Sequence, residues 1–290
     1  MPPPDFVVVG HVTRDIIADG WRRGGTPTFA AVQAHRLGLR VGVVTRTAGD
    51  LDLHALLPFA EIVDAGSDVT TCFENLYRGS ERTQHIRACG AAIDPGDVPA
   101  AWRSAPIVLL GPVFGEMAPG FAATFDQGSL VGVSAQGWLR SADAEGRVLH
   151  TAWSGEPFWT GADVIFVSDE DLVDGRGEMD RWAAGVPIVA MTESWRGARI
   201  YADGHWRGMD SFPETEVDPT GAGDTFATGF LIRLHETGDV GEAARFGAAA
   251  ASLSISANTS DPFAPGCMKK RSRSQRCAEA HELVAVMVYQ

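Results

Sequence analysis

Short apolar runs recur along the chain at Phe6–Val9, Val41–Thr45, Ile107–Leu110, Leu130–Val133, Val164–Val167 and Ile188–Met191. Runs of this length, almost free of polar residues, fit strands buried on both faces. The intervening segments are too long for hairpins and call for crossovers between parallel strands. One of them, TPTFAAVQAHRLG, sets Phe29, Ala30, Val32, Ala34 and Leu37 at spacings that share a helical face, with Gly38 as the stop. The rhythm predicts an α/β fold: a doubly wound, mainly parallel sheet flanked by helices on both faces. A chain of 290 residues has core enough for it, and we read residues 1–290 as a single domain.

Open α/β sheets bind ligands beyond the carboxyl ends of their strands. Asp15 and Gly24-Gly25 follow the first run, the segment SAQGWLR from Ser134 to Arg140 follows the fourth, and Ser168 to Asp171 and Thr192 to Gly197 follow the next two. The most informative stretch comes later, at ETEVDPTGAGDTFATGFLIRLHE, residues 214–236. Its glycines predict a tight turn at Gly221-Ala222-Gly223 and a helix entered near Asp224, carrying Phe226, Ala227, Phe230, Leu231 and Leu234. Free amides at such a turn, together with the helix dipole, make an anion site. Asp224, in the same turn, is placed to take a proton from a hydroxyl attacking a bound phosphate. Taken alone, a GxGD sequence is equally an ordinary helix start, with the carboxylate serving the dipole.

Composition narrows the chemistry. With 37 acidic and 24 basic residues the net charge is −13, which argues against nucleic acid or an anionic membrane as partner. No apolar stretch reaches membrane-spanning length and MPPPDFVVVG lacks a basic signal region, so a soluble, cytoplasmic protein is expected. Cys72, Cys89, Cys267 and Cys277 form no CxxC pair, and the histidines form no HExxH cluster. The only lysines are Lys269 and Lys270, which rules out a Walker lysine or a Schiff-base lysine in the body of the chain. Phosphate chemistry here has to use backbone amides, arginines and a metal ion. No GxGxxG follows the first strand, as a dinucleotide-binding oxidoreductase would require.

The string DPTGAGDTFATGF, with Asp15, Gly24-Gly25 and the closing Thr47-Ala48-Gly49-Asp50, resembles the ribokinase-like (pfkB-type) carbohydrate kinases over roughly residues 6–257. The resemblance implies a ribokinase-like fold with a small β lid formed by about residues 11–23 and 68–90, the latter a hairpin turning at Arg78-Gly79-Ser80. It implies ATP as donor with Mg²⁺, transfer to a hydroxyl, Asp224 as catalytic base, and the amides of Gly221, Ala222 and Gly223 as anion hole. By the same resemblance Asp15, Gly24, Gly25, Gln136 and Arg140 lie on the substrate side. Ser168, Thr192, Gly197, Asp218 and Thr220 lie on the ATP side, and Asp171 meets the metal through water.

Several positions depart from the family pattern. Phe29 stands where an asparagine is usual and, with QGWLR, points to the inositol-kinase-like branch and myo-inositol as first acceptor; nucleosides and ketohexoses remain open. Ser168 and Asp171 stand in the N-x-x-E position, and Ser194 replaces the first glycine of T-x-G-x-x-G. These changes leave a second reading, a catalytically silent sugar-binding or regulatory relative. Arg82 and Arg87 in the lid would serve a phosphorylated acceptor, and the lid is the expected surface of a homodimer. Residues 258–290, with the run KKRSRSQR, form an atypical C-terminal tail outside the resemblance.

Overall fold

Alternate residues of the first strand face two different cores, Phe6 and Val8 one of them and Val7 and Val9 the other. A strand that is buried on both sides needs cover on both sides, and the rest of the chain supplies it. The computed structural model describes residues 2–17, 19–78, 81–212 and 217–256. In chain order its elements are β1 (Phe6–Val9), β2 (Thr13–Ile17), β3 (Gly20–Gly24), α1 (Thr26–Arg36), β4 (Val41–Thr45), α2 (Leu53–Leu56), β5 (Ala60–Asp64), β6 (Cys72–Arg78) and β7 (Glu81–Ala88). There follow β8 (Ile107–Leu110), β9 (Leu130–Ser134), β10 (Arg140–Ala142), β11 (Val148–His150), β12 (Val164–Ser168), α3 (Gly175–Ala183), β13 (Ile188–Thr192), β14 (Ala198–Ala202), β15 (His205–Met209), α4 (Ala222–Thr237) and α5 (Val240–Ser256).

Nine strands form the main sheet in the order β15-β14-β13-β12-β9-β8-β1-β4-β5. Pairing is parallel from β5 to β13, and only the β13–β14 and β14–β15 pairs are antiparallel. All six apolar runs are strands of this sheet. The two faces are covered differently. α1, α4 and α5 cover the face that includes Phe6 and Val8, through Ala30, Ala34, Phe226, Phe230 and Ala249. The opposite face is closed by α3 and by 3₁₀ turns that carry Trp102, Phe121 and Trp138, so irregular segments with large aromatics take the place of the helices expected there. Trp138 stacks on Phe158 with centroids 4.8 Å apart, and Phe158 meets Trp182 edge-on at 5.7 Å.

A second sheet, β3-β2-β6-β7, stands apart from the first. Its strands fall within the two segments expected to form a lid; residues 79 and 80 of the expected turn lie outside the described residues. The sheet is tied down at its base. Asp50, after β4, accepts hydrogen bonds from Arg14 at 2.7 Å and from the Thr70 hydroxyl, and the bond from Thr70 is the main cause holding its carboxyl below the usual range. Along one edge, the Ile86 amide donates to the Gly146 carbonyl at 2.8 Å, which joins the β10–β11 hairpin to β7. The expected tail, residues 258–290, lies outside the described residues.

Candidate active site

The amino ends of two helices meet at the centre of the site. α4 begins at Ala222, two residues before the position expected, because Gly221 serves as its N-cap in a left-handed conformation with φ of 78°. A Cβ at Gly221 would stand 2.3 Å from the Phe29 ring of α1, so only glycine lets the turn rest on that ring. Phe29 therefore packs beneath the turn at the place where an asparagine was expected on the substrate side. Asp224 occupies the first turn of α4. Burial pushes its pKa up to about 6, against a pull downward from the Thr26 hydrogen bond and from the charge of Arg140.

Thr26 is the first residue of α1 and follows Gly24-Gly25 directly. Gly24 lies against Asp15: a Cβ there would be 2.6 Å from an Asp15 carboxylate oxygen. Asp15 is buried and accepts the Thr13 hydroxyl at 2.8 Å. The lid carboxylate, the glycine pair and the helix start are thus contiguous, and their far end bonds Asp224.

Arg140 reaches the same place from the β10–β11 hairpin. Its Nη1 donates to the Val113 carbonyl at 3.2 Å, and its guanidinium lies 6.0 Å from the centroid of Phe73, which in turn meets Phe114 edge-on at 6.3 Å. The loop holding Val113 and Phe114 is clamped by the buried Glu116, which accepts the amides of His11 at 3.2 Å and of Val113 and Phe114 at 2.8 Å. Beyond Asp224, Asp218 accepts the Thr220 amide at 3.0 Å. Arg22 of β3 donates to Asp218 at 3.2 Å and to the Thr220 hydroxyl at 3.1 Å.

The remaining residues cluster one strand over. Ser168 and Thr192 end adjacent strands in register. Ser168 accepts the Glu170 amide at 3.3 Å, and Gly197 adopts φ of 98° in the loop after β13. Asp171 is buried and meets Gln136 Nε2 and His150 Nδ1, each at 3.5 Å. Gln136 thus faces Asp171 on the expected donor side, while Arg140, four residues on, faces Asp224. Arg87 pairs with Glu74 at 2.5 Å within the lid sheet, and the Arg82 side chain lies outside what is described. Among the described residues no three histidine, cysteine or carboxylate side chains converge to hold a metal ion. A cavity of about 590 Å³ bordered by Ala183, Val186, Tyr201 and Val240 lies at the other end of β13 and contains none of these groups.

The motifs of Thr26, Arg22 and His150 carried no signal in the sequence. Thr26 was visible only as part of a helix start, and Arg22 only as an unremarked residue of the segment 11–23.

The family model for pfkB family carbohydrate kinases matches residues 158–265, the span that includes β12, β13 and the glycine turn. Over that span the chain is similar to the pfkB family of carbohydrate kinases. The relatives of the chain are named kinases, which supports a phosphotransferase acting on a hydroxyl group. A cytidine kinase of Thermococcus kodakarensis is 26% identical over 265 residues, covering 84% of this chain and 93% of that protein. An inositol 3-kinase of Zea mays is 34% identical over 183 residues, covering 58% of this chain but only 46% of that protein. In fold, the chain superposes with a TM-score of 0.73 on a pyrophosphate-dependent kinase of the ribokinase family complexed with a pyrophosphate analogue and myo-inositol. That match covers 86% of this chain and 94% of the other at 22% identity. The architecture is ribokinase-like. Among the described residues no helix is long and apolar enough to cross a membrane.

Proposed function

We propose that the chain transfers the γ-phosphoryl group of ATP to a hydroxyl of a small sugar or cyclic polyol, with myo-inositol as the first acceptor. The observation that carries this is the position of Asp224: half-buried, its pKa raised to about 6, and one helical turn past the left-handed Gly221. Asp224 takes the proton of the attacking hydroxyl, for which its carboxylate has to be ionised. The amides of Gly221 and Gly223 receive the charge of the transferring group, whereas the Ala222 amide, expected to join them, is already donated to the Pro219 carbonyl at 3.1 Å. Asp15 orients the acceptor from the lid side, with Phe73 and Phe114 as apolar walls, and Arg140 supplies positive charge near the reacting centre.

Asp171 would help to hold Mg²⁺ through water on the donor side, where the ion would supply positive charge to the donor phosphates. The contacts of Asp171 at 3.5 Å are long for hydrogen bonds and leave its oxygens able to accept from a magnesium-bound water. Ser168, Thr192 and Gly197 form the donor side. The lid sheet covers the acceptor, which limits competing transfer to water.

The likeness to a pyrophosphate-dependent kinase favours a second reading of the donor. Backbone amides recognise a phosphate without regard to any base attached to it, so the turn suits pyrophosphate as well as ATP. The test is a matrix of the two donors with Mg²⁺ against myo-inositol, ribose, fructose and cytidine, with phosphorylated acceptor measured by mass spectrometry. We expect acceptor-dependent transfer in the myo-inositol column. Donor consumption that no acceptor stimulates would overturn the reading, and transfer confined to cytidine would overturn the polyol assignment.

A further inference from the structure

The anion turn includes a negative charge of its own. Asp218 lies three residues before Gly221 and is bonded to the turn through the Thr220 amide. A carboxylate so placed repels an incoming phosphate, and the repulsion is stronger in a partly buried site than in open water. The neutralising cation comes from the lid. Arg22 spans Asp218 and the Thr220 hydroxyl with its two terminal nitrogens at 3.2 and 3.1 Å, from almost two hundred residues earlier in the chain. The pair is mostly covered, with side-chain exposures of 27% for Arg22 and 18% for Asp218, so solvent screens it less than an open surface pair.

Arg22 is also the direct cross-strand partner of Asp15. Cross-strand partners project from the same face of a sheet, so the lid face that presents Asp15 presents Arg22 as well. Any displacement of the β2–β3 ribbon would therefore carry Asp15 and Arg22 together, so that contacts made by one bear on contacts made by the other.

We propose that Arg22 is a positioning residue that couples acceptor binding to donor binding. With the ribbon seated, its guanidinium cancels the Asp218 charge and thereby raises the affinity of the Gly221–Gly223 turn for the donor's terminal phosphate. It acts through Asp218 and need not touch either substrate. The inference rests on the phosphotransfer reading of this site and adds to it a coupling between the two substrates, carried by Arg22. Linkage makes the effect reciprocal, so the donor tightens the acceptor by the same factor.

The test uses the full-length protein as wild type, Arg22→Ala, Arg22→Lys, Asp218→Asn and the double variant Arg22→Ala/Asp218→Asn. Donor KM is measured for ATP and pyrophosphate, and calorimetry follows binding of AMP-PNP and inorganic pyrophosphate with and without saturating myo-inositol. Arg22→Ala is expected to raise donor KM about tenfold, within the usual range of coupling between sites, with kcat changed less than about threefold. Arg22→Lys, which keeps the charge but not the fork, falls between. The double variant returns to within about threefold of wild type, because the charge that Arg22 cancelled is gone. Myo-inositol tightens donor binding in the wild type and leaves it unchanged in Arg22→Ala.

A purely structural latch gives a different pattern: the loss persists in the double variant, and Asp218→Asn alone weakens donor binding as much as Arg22→Ala does. Either result, or an unchanged donor affinity in Arg22→Ala, overturns the proposal. Should Arg22→Ala fail to fold, Asp218→Asn decides alone, since the proposal requires donor binding at least as tight as wild type. The calorimetry needs no turnover. Absence of transfer in the wild type together with Arg22-dependent binding of pyrophosphate would therefore overturn the phosphotransfer reading and leave this one standing.

Discussion

Burial makes Asp224 a better proton acceptor and a costlier carboxylate at once. Its pKa of about 6 is set first by desolvation, with the Thr26 bond and Arg140 pulling it down. A base has to be ionised to act, so kcat/KM should fall below about pH 6, and the acid limb of the pH–rate profile should have its midpoint there. Arg140→Ala removes a charge that favours the carboxylate and should move that limb to higher pH; an unmoved limb would show that Arg140 is not electrostatically coupled to the base. Stability follows the opposite sense. The folded pKa lies above the 3.8 of an ordinary aspartate in the unfolded chain, so the folded state binds the proton more tightly, and this contribution is complete below about pH 4 and lost as pH rises through about 6. Asp224→Asn should therefore raise the thermal midpoint at pH 7.5, by a free energy on the order of 1–3 kcal/mol, and leave it unchanged near pH 3.5. The same variant should lower kcat at least about a hundredfold, the usual scale of general-base loss. Stability rising while turnover falls is the signature of a carboxylate kept for chemistry, and thermal denaturation beside steady-state kinetics on one preparation checks both.

At the scale of elements, the junction between α1 and α4 sets the anion turn, and two neighbouring glycines in it differ in kind. Gly221 is left-handed and meets Phe29, whereas an added Cβ at Gly223 has no atom within 4 Å. Gly221→Ala should lower stability by roughly 1–3 kcal/mol, the usual cost of a strained backbone, and reduce donor binding with it. Gly223→Ala should fold as well as wild type or slightly better, since alanine favours a helix interior. Differential scanning calorimetry of the two variants separates them; equal destabilisation would mean that the Phe29 contact does not set the turn. Much of this was legible in the sequence. The apolar runs gave the parallel strands, and the glycines followed by a 3.6-residue apolar period gave α4. The function of Phe29 was not legible, since a helix pattern says which face is apolar but not which turn of a distant loop rests on it. Nor was the bond from Thr26 to Asp224, the turn of Gln136 towards Asp171 or the reach of Arg22 to Asp218. Each joins residues that meet only because the strand order brings separate strand ends together, and no local period encodes that order. The aromatic cover over Val7 and Val9 escaped for a related reason: Trp102, Phe121 and Trp138 sit in 3₁₀ turns, which have no extended periodicity to read.

For the whole molecule the sign of the charge matters more than its details. A net charge of −13 repels an anionic donor at long range, while the amides of the turn attract it only at contact. The long-range part is screened by salt, with a Debye length of about 30 Å at 0.01 M falling to about 8 Å at 0.15 M. The contact part, made of hydrogen bonds inside a partly buried site, is screened far less. For the donor, kcat/KM should therefore rise as ionic strength increases over this range, and for a neutral polyol acceptor it should stay flat. An inert monovalent salt series at fixed Mg²⁺, with each substrate varied in turn, checks the pair. A donor rate that falls with salt would mean that the arginines around the site, Arg22 and Arg140 foremost, outweigh the acidic surface at the distances where encounter is decided. In that case the local field steers the donor in, and Arg22→Ala should flatten the salt dependence. A rising donor rate with a flat acceptor rate leaves the arginines their short-range task, Arg22 offsetting the charge of Asp218 and Arg140 favouring the ionised form of Asp224 once the donor has arrived.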